Sequence, residues 1–171
     1  IQHYTQAVDD FKTVLSLEPH YKFSYDAYIS FGFSAFNLKN YDEALTQFNY
    51  AIEKNPLKAT AYDGLGCTQF EKANYNEAAL NLRKAVSIEP NNEIMLTNLG
   101  NALYQITEFS EAQRCFEKAI KINPINQHAL NGMGICSYQN NDYKGSVEWL
   151  ENALKINTTN KDINLNLAVS R

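Results

Sequence analysis

The sequence has little of what a metal-binding, disulfide-bonded or membrane-spanning protein needs. Its 171 residues include only three cysteines, three histidines, four prolines and one tryptophan. Cys67, Cys115 and Cys136 are odd in number and lack the CxxC or Cys/His spacing of a metal or redox site, so we expect three packed thiols in a reducing compartment. No apolar run approaches the ~20 residues that cross a bilayer. We therefore predict a cytoplasmic, intracellular protein with no bound metal and no membrane insertion.

Positive charge and catalytic groupings are also scarce. Acidic residues outnumber basic ones by 19 to 15, which gives a net charge of −4 and argues against binding to nucleic acid. His3, His20 and His128 stand far apart in the chain, and their spacing supports no Ser/His/Asp or Cys/His arrangement. The glycines form no phosphate-binding loop. We therefore predict a protein that is not an enzyme and carries no cofactor.

What the sequence does contain is a repeat. Four glycines recur at a constant step of 34 residues: Gly32, Gly66, Gly100 and Gly134. At fixed distances after each glycine come a small residue, a large apolar residue, an alanine and, in three of the four repeats, a proline, as in Ala112, Phe116, Ala119 and Pro124. A period of this length is typical of stacked helices. Each repeat reads as two short amphipathic helices, at roughly 96–106 and 109–121 in the third repeat, and its proline ends the second helix.

Leu-Gly followed by Ala, Phe, Ala and Pro at these distances resembles the tetratricopeptide repeat. The resemblance implies an all-α fold, a right-handed α-solenoid or superhelix of antiparallel helix pairs. It also implies that the first helices of successive repeats line a concave groove, which holds an extended peptide or a partner helix. One local departure is the turn between the two helices, where the family's usual glycine is replaced by Lys39, Ala73, Thr107 and Asn141.

We expect one array over residues 1–171, with no domain boundary. Its parts are predicted as the second helix of a partial repeat at 1–21, full repeats at 25–58, 59–92, 93–126 and 127–160, and the first helix of a further repeat at 161–171. Pro19 and Pro56 are three residues further apart than the repeat predicts, so the first helix of the first full repeat should be longer, about 22–38. Because both ends are half-repeats, we expect a segment of a longer array, and a leader upstream of Ile1 is left open.

The resemblance also implies which residues face the groove, namely those six, three and two before each repeat glycine and one, four and five after it. None of these 24 places holds Lys or Arg, and many hold amides or aromatic rings. The candidate partner-binding residues are Phe33, Phe36, Asn37, Asp63, Phe70, Asn98, Asn101, Tyr104, Gln105, Asn131 and Tyr138. The aromatic residue four places after each glycine has two interpretations, packing within the repeat or a platform for a ligand. The amides likewise either bind a ligand or face water.

The predicted function is a protein interaction. Family members that act as co-chaperones bind the C-terminal carboxylate of heat-shock chaperones with Lys, Arg and Asn, and a groove without cations excludes such a clamp here. Amides both donate and accept hydrogen bonds, so we predict a neutral to mildly basic protein or peptide segment, extended or helical, as the ligand. Two alternatives stay open. The array is a scaffold section of a larger complex, or it is the substrate-recognition arm of an enzyme whose catalytic domain lies outside this chain.

Overall fold

The computed structural model describes residues 2–17 and 24–171, and all regular secondary structure in these ranges is α-helical. The helices are α1 (Gln2–Leu17), α2 (Ser24–Asn37), α3 (Tyr41–Lys54), α4 (Ala59–Glu71), α5 (Tyr75–Ile88), α6 (Glu93–Gln105), α7 (Phe109–Ile122), α8 (Gln127–Gln139), α9 (Tyr143–Ile156) and α10 (Lys161–Ser170). The predicted all-α class and the packing of consecutive helices in pairs are thus confirmed. The predicted start of a helix near residue 22 lies outside the described residues, as do Pro19 and His20.

A left-handed residue ends the first helix of each of the four pairs. Lys39, Ala73, Thr107 and Asn141 have φ between 60° and 64°, a region that residues other than glycine seldom adopt. At Thr107, two backbone hydrogen bonds close the end of α6, from Thr107 N–H to the Tyr104 carbonyl (3.0 Å) and from Glu108 N–H to the Leu103 carbonyl (2.9 Å). These two bonds are the Schellman arrangement, in which glycine is the usual left-handed residue. The backbone therefore keeps the turn although the sequence has no glycine there.

The helices fall into two compact units, Ile1–Glu89 and Pro90–Arg171. In the N-terminal unit, the fully buried ring of Phe48 on α3 contacts α2 at Gly32 and α4 at Gly64. Alanines on α3, Ala44 and Ala51, are also fully buried and let the helices approach closely. Within the core of this unit, the Phe48 ring is therefore held between two glycine-bearing helices.

The C-terminal unit repeats this arrangement. The ring of Phe116 on α7 is buried and contacts α6 at Gly100 and α8 at Gly132. Further along the unit, Leu150 on α9 is fully buried, contacts Gly134, and packs with Ile163 and Leu167 of α10. In both units, a large side chain of a second helix thus packs against a glycine of a first helix.

Candidate partner-binding face

The first helices of the C-terminal unit bring several predicted groove residues together. Helix α8 packs beside both α6 and α10, so the outer sides of the three helices form one surface. We call this surface the first-helix face, and its members are Asn98, Asn101, Tyr104, Asn131, Ile135, Tyr138, Gln139, Leu165, Asn166 and Val169. Apart from the exposed Gln139, Leu165 and Val169, these side chains are partly buried. The candidate Gln105 is exposed at the end of α6.

Two hydrogen bonds join side chains of neighbouring helices on this face. Gln139 Nε2 donates to the Tyr104 hydroxyl at 3.0 Å, which connects α8 to α6. Asn166 Nδ2 donates to Asn131 Oδ1 at 3.0 Å, which connects α10 to α8. The bond between Asn166 and Asn131 uses one of the two polar atoms of each amide. Asn131 Nδ2 can therefore still donate a hydrogen bond, and Asn166 Oδ1 can still accept one. The bonds therefore orient amides that retain capacity for a ligand.

A cavity of about 290 Å³ lies beside these pairs. It is lined by Tyr104, Ile135, Tyr138, Gln139, Leu150, Leu165, Asn166, Val169 and Ser170, none of which is charged. Leu165 and Val169 stand on α10 beside the cavity with exposed fractions of 65% and 59%. The first-helix face thus combines an apolar cavity with oriented amides.

The aromatic residue four places after each repeat glycine packs against another ring in its own repeat. The four pairs have centroid separations between 5.2 and 5.8 Å, and they are Phe36–Tyr41, Phe70–Tyr75, Tyr104–Phe109 and Tyr138–Tyr143. Each pair spans the left-handed turn and stabilises the join between the two helices. Tyr104 and Tyr138 also line the cavity, so in the C-terminal unit the packing role does not exclude contact with a ligand.

In the N-terminal unit, the candidate residues have partners within the unit. Phe33 packs edge-on against the buried Phe48 with centroids 5.0 Å apart, and Asn37 Nδ2 donates to the Phe33 carbonyl at 2.8 Å. Asp63 is buried, and its Oδ1 lies 4.0 Å from the Cys67 Sγ. Burial, with the Asp63 and Glu71 carboxylates, raises the pKa of the Cys67 thiol far above its usual range. The Cys67 thiol therefore holds its proton near neutral pH, which disfavours nucleophilic chemistry at this residue.

The structure adds residues that the sequence-based candidate set lacks. Leu165, Asn166 and Val169 belong to α10, and Ile135 and Gln139 to α8. The signal that locates all five was present in the sequence: Ile135 and Gln139 stand one and five places after Gly134, and Ala168 stands where the next repeat glycine would fall. The same offsets applied to Ala168 give Leu165, Asn166 and Val169 directly.

In the described part of the chain, no group of three or more His, Cys, Asp or Glu could hold a metal ion.

No helix in the described ranges is both long and apolar enough to pass through a membrane.

A family model for the tetratricopeptide repeat matches residues 31–93 and 97–161, about three quarters of the chain. No curated protein sequence matches the chain.

Solved structures of the same kind resemble the chain closely in backbone. MamA matches with a TM-score of 0.80 and 20% identity, over 90% of this chain and 88% of that one. YrrB, a TPR protein with an unusual peptide-binding site, matches with a TM-score of 0.77 and 21% identity, over 94% and 81% of the two chains. PilF of Pseudomonas aeruginosa matches with a TM-score of 0.78 and 24% identity, over 85% of this chain and 67% of that one. At such identities the likeness establishes the fold alone.

Proposed function

Because this chain belongs to the tetratricopeptide repeat family, whose fold generally mediates protein interactions, we propose that its first-helix face binds an extended, neutral to mildly basic segment of a partner protein. The observation that carries the proposal is the placing of two hydrogen-bonded polar pairs beside a cavity without charged lining residues. The peptide-binding site of YrrB, a protein of the same fold, is consistent with this use of the fold.

The cavity suits an apolar side chain of the ligand. Its volume of about 290 Å³ admits an aliphatic or aromatic side chain, and the exposed Leu165 and Val169 would lose contact with water when it enters. Full burial of such a side chain contributes about 1.5–3 kcal/mol. We therefore expect one bulky apolar residue to anchor the bound segment.

The amides favour an extended ligand over a helical one. A helix satisfies its own backbone N–H and C=O groups, so it offers few of them to a surface. An extended segment carries these groups unpaired, and a ligand carbonyl can accept from Asn131 Nδ2 while a ligand N–H donates to Asn166 Oδ1. The ligand is neutral or mildly basic, because a carboxylate in the cavity would meet no cation.

The role is non-catalytic. Apart from the tyrosine hydroxyls, the polar groups that line the cavity are the amides of Gln139 and Asn166 and the hydroxyl of Ser170. Ser170 Oγ already donates to the Asn166 carbonyl at 2.9 Å and bonds Ser146 Oγ at 2.8 Å. The two amides and the serine hydroxyl do not exchange a proton readily near neutral pH, so they are poor agents of general acid–base chemistry.

A displayed library of random dodecapeptides, selected against the purified chain, tests the proposal. We expect the selected sequences to be uncharged around one bulky apolar residue and to lose binding to Leu165→Asp. The matched control is Leu80→Asp, since Leu80 on α5 is 67% exposed and Leu165 is 65% exposed. Circular dichroism checks that both variants keep their helices. Peptides that bind Leu165→Asp as tightly as the original chain, or that carry an essential carboxylate, would contradict the proposal.

A further inference from the structure

Two glycines that the 34-residue period does not require stand inside helices. Gly64 in α4 and Gly132 in α8 each come two residues before a repeat glycine. Glycine in a helix interior is unfavourable relative to alanine, because it gives the unfolded chain more freedom. A Cβ on Gly132 would lie 2.5 Å from Phe116 Cζ, and a Cβ on Gly64 would overlap the Phe48 ring in the same way. Both glycines are therefore explained by the ring that each one faces.

Each ring occupies a space between two helices. Phe116 extends from α7 past Gly100 of α6 to Gly132 of α8. Phe48 does the same from α3, between Gly32 of α2 and Gly64 of α4. In both units, a phenylalanine on a second helix thus excludes any side chain at one position of the following first helix.

In α9, Leu150 stands at the position that Phe116 occupies in α7, and the residue 16 positions later is not glycine. Leu150 on α9 contacts Gly134, as Phe116 contacts Gly100, but the residue equivalent to Gly132 is now Asn166. Leu150 and Asn166 line the same cavity, so the shorter side chain leaves room there. The sequence pairs these residues at a constant spacing of 16, in the order Phe48/Gly64, Leu82/Asn98, Phe116/Gly132 and Leu150/Asn166.

We propose that this core position on each second helix determines whether the next first helix presents an amide to the ligand. Phenylalanine requires glycine, and that repeat then has no side chain at the position. Leucine permits asparagine, whose amide reaches the first-helix face. The C-terminal unit contains both members of the pair Leu150/Asn166, and there the Asn166 amide bonds Asn131. In the C-terminal unit, α10 therefore presents an amide at this position and α8 does not. The consequence for binding rests on the proposed function, whereas the packing rule does not.

A double-mutant cycle tests the packing rule without any ligand. Gly132→Asn places a side chain against Phe116, so we expect the folded-to-unfolded ratio to fall by about 5- to 160-fold, the range for overpacked cores. Phe116→Leu in the Gly132→Asn background is expected to recover much of that loss, although the same change alone lowers the ratio. The mirror cycle uses Leu150→Phe, which is expected to be tolerated only together with Asn166→Gly.

Matched controls separate rescue from a general effect of each change. Asn164→Gly is the same change on α10 at an exposed residue that does not line the cavity, and it should not rescue Leu150→Phe. Guanidinium unfolding followed by circular dichroism gives the ratios. Additive effects in both cycles, or equal rescue by Asn164→Gly, would overturn the packing rule.

A binding measurement then tests the functional part. The probe is an end-blocked heptapeptide of alternating serine and leucine, titrated by NMR into the original chain and into Phe116→Leu/Gly132→Asn. The added amide should tighten binding by about 2- to 10-fold, the yield of one further hydrogen bond. Non-additive effects on unfolding together with tighter peptide binding support the whole inference. Non-additive effects on unfolding with unchanged peptide affinity overturn its functional part. If the original chain binds no peptide while the cycles are coupled, the packing rule is supported and the proposed function fails.

Discussion

Replacing Thr107 by glycine should stabilise the protein, although no contact is added. Thr107 lies between α6 and α7 with φ of 64°, and its side chain is exposed. Its own N–H and that of Glu108 close the end of α6, so the turn cannot relax to another conformation without the loss of two hydrogen bonds. The backbone therefore holds a β-branched residue in a region that favours glycine.

The magnitude follows from two opposing terms. A left-handed conformation costs a residue with a Cβ about 1–2 kcal/mol, and branching at Cβ places threonine toward the upper value. Glycine removes that cost but gives the unfolded chain extra freedom worth about 0.4–1 kcal/mol. The net expectation for Thr107→Gly is therefore a gain of about 1 kcal/mol, or about 2–4 °C in Tm for a chain of this size.

The control is the same substitution one repeat later. Asn141 has φ of 61°, but asparagine tolerates this region, and its Oδ1 also accepts from the Tyr143 hydroxyl at 3.0 Å. Asn141→Gly should therefore leave the free energy of unfolding unchanged or lower it slightly. Thermal and guanidinium unfolding, followed by circular dichroism, measure both variants. Equal midpoints for the two variants, or a lower midpoint for Thr107→Gly than for the original chain, would refute the reasoning.

Three further changes test the core, a helix start and a thiol. Phe116→Ala should lower the free energy of unfolding by about 3–5 kcal/mol in denaturant titrations, because a fully buried ring leaves a cavity between Gly100 and Gly132. Asn126→Ala should cost about 1–2 kcal/mol in the same assay, since the Asn126 side chain accepts from Ala129 N–H and donates to Thr97 Oγ1. Burial raises the pKa of the Cys136 thiol from 9.0 to about 11, so the folded chain holds its proton more tightly than the unfolded chain does. The stability should therefore fall as pH rises from about 9 to 11, and Cys136→Ala, compared with the original chain across that range, should remove this part of the pH dependence.

The repeat made the fold predictable because each core requirement appears four times at one spacing. A glycine at a fixed place and a large apolar residue 16 positions later indicate two helices in close contact, and Gly100 with Phe116 shows that contact directly. The left-handed turns were less predictable, since Thr107 and Ala73 carry no local signal for positive φ. There the packing of two helices and the bonds at the helix end decide the backbone conformation, against the preference of the residue.

The candidate site was harder to predict for a physical reason. The bonds Asn166–Asn131 and Gln139–Tyr104 each join residues 35 positions apart, and their formation depends on rotamers that composition does not reveal. The cavity depends on the size of a core residue, Leu150, which the groove offsets do not include. Sequence offsets therefore indicate which residues face outward, while the structure shows which of them are held by hydrogen bonds between side chains.

Core and surface are consequently coupled in this chain. A phenylalanine such as Phe116 fills the space between three helices and buries more apolar surface than leucine, which favours stability. The same ring forces a glycine at residue 132, which removes a polar group from the first-helix face and weakens the helix that carries it. Leu150 buries less apolar surface than a phenylalanine at this position, and Asn166 stands beside the cavity with its amide hydrogen-bonded to Asn131. Under the proposed packing rule, adding a side chain at residue 132 of this face therefore requires a matching change in the core, since Gly132 can gain a side chain only when residue 116 becomes smaller.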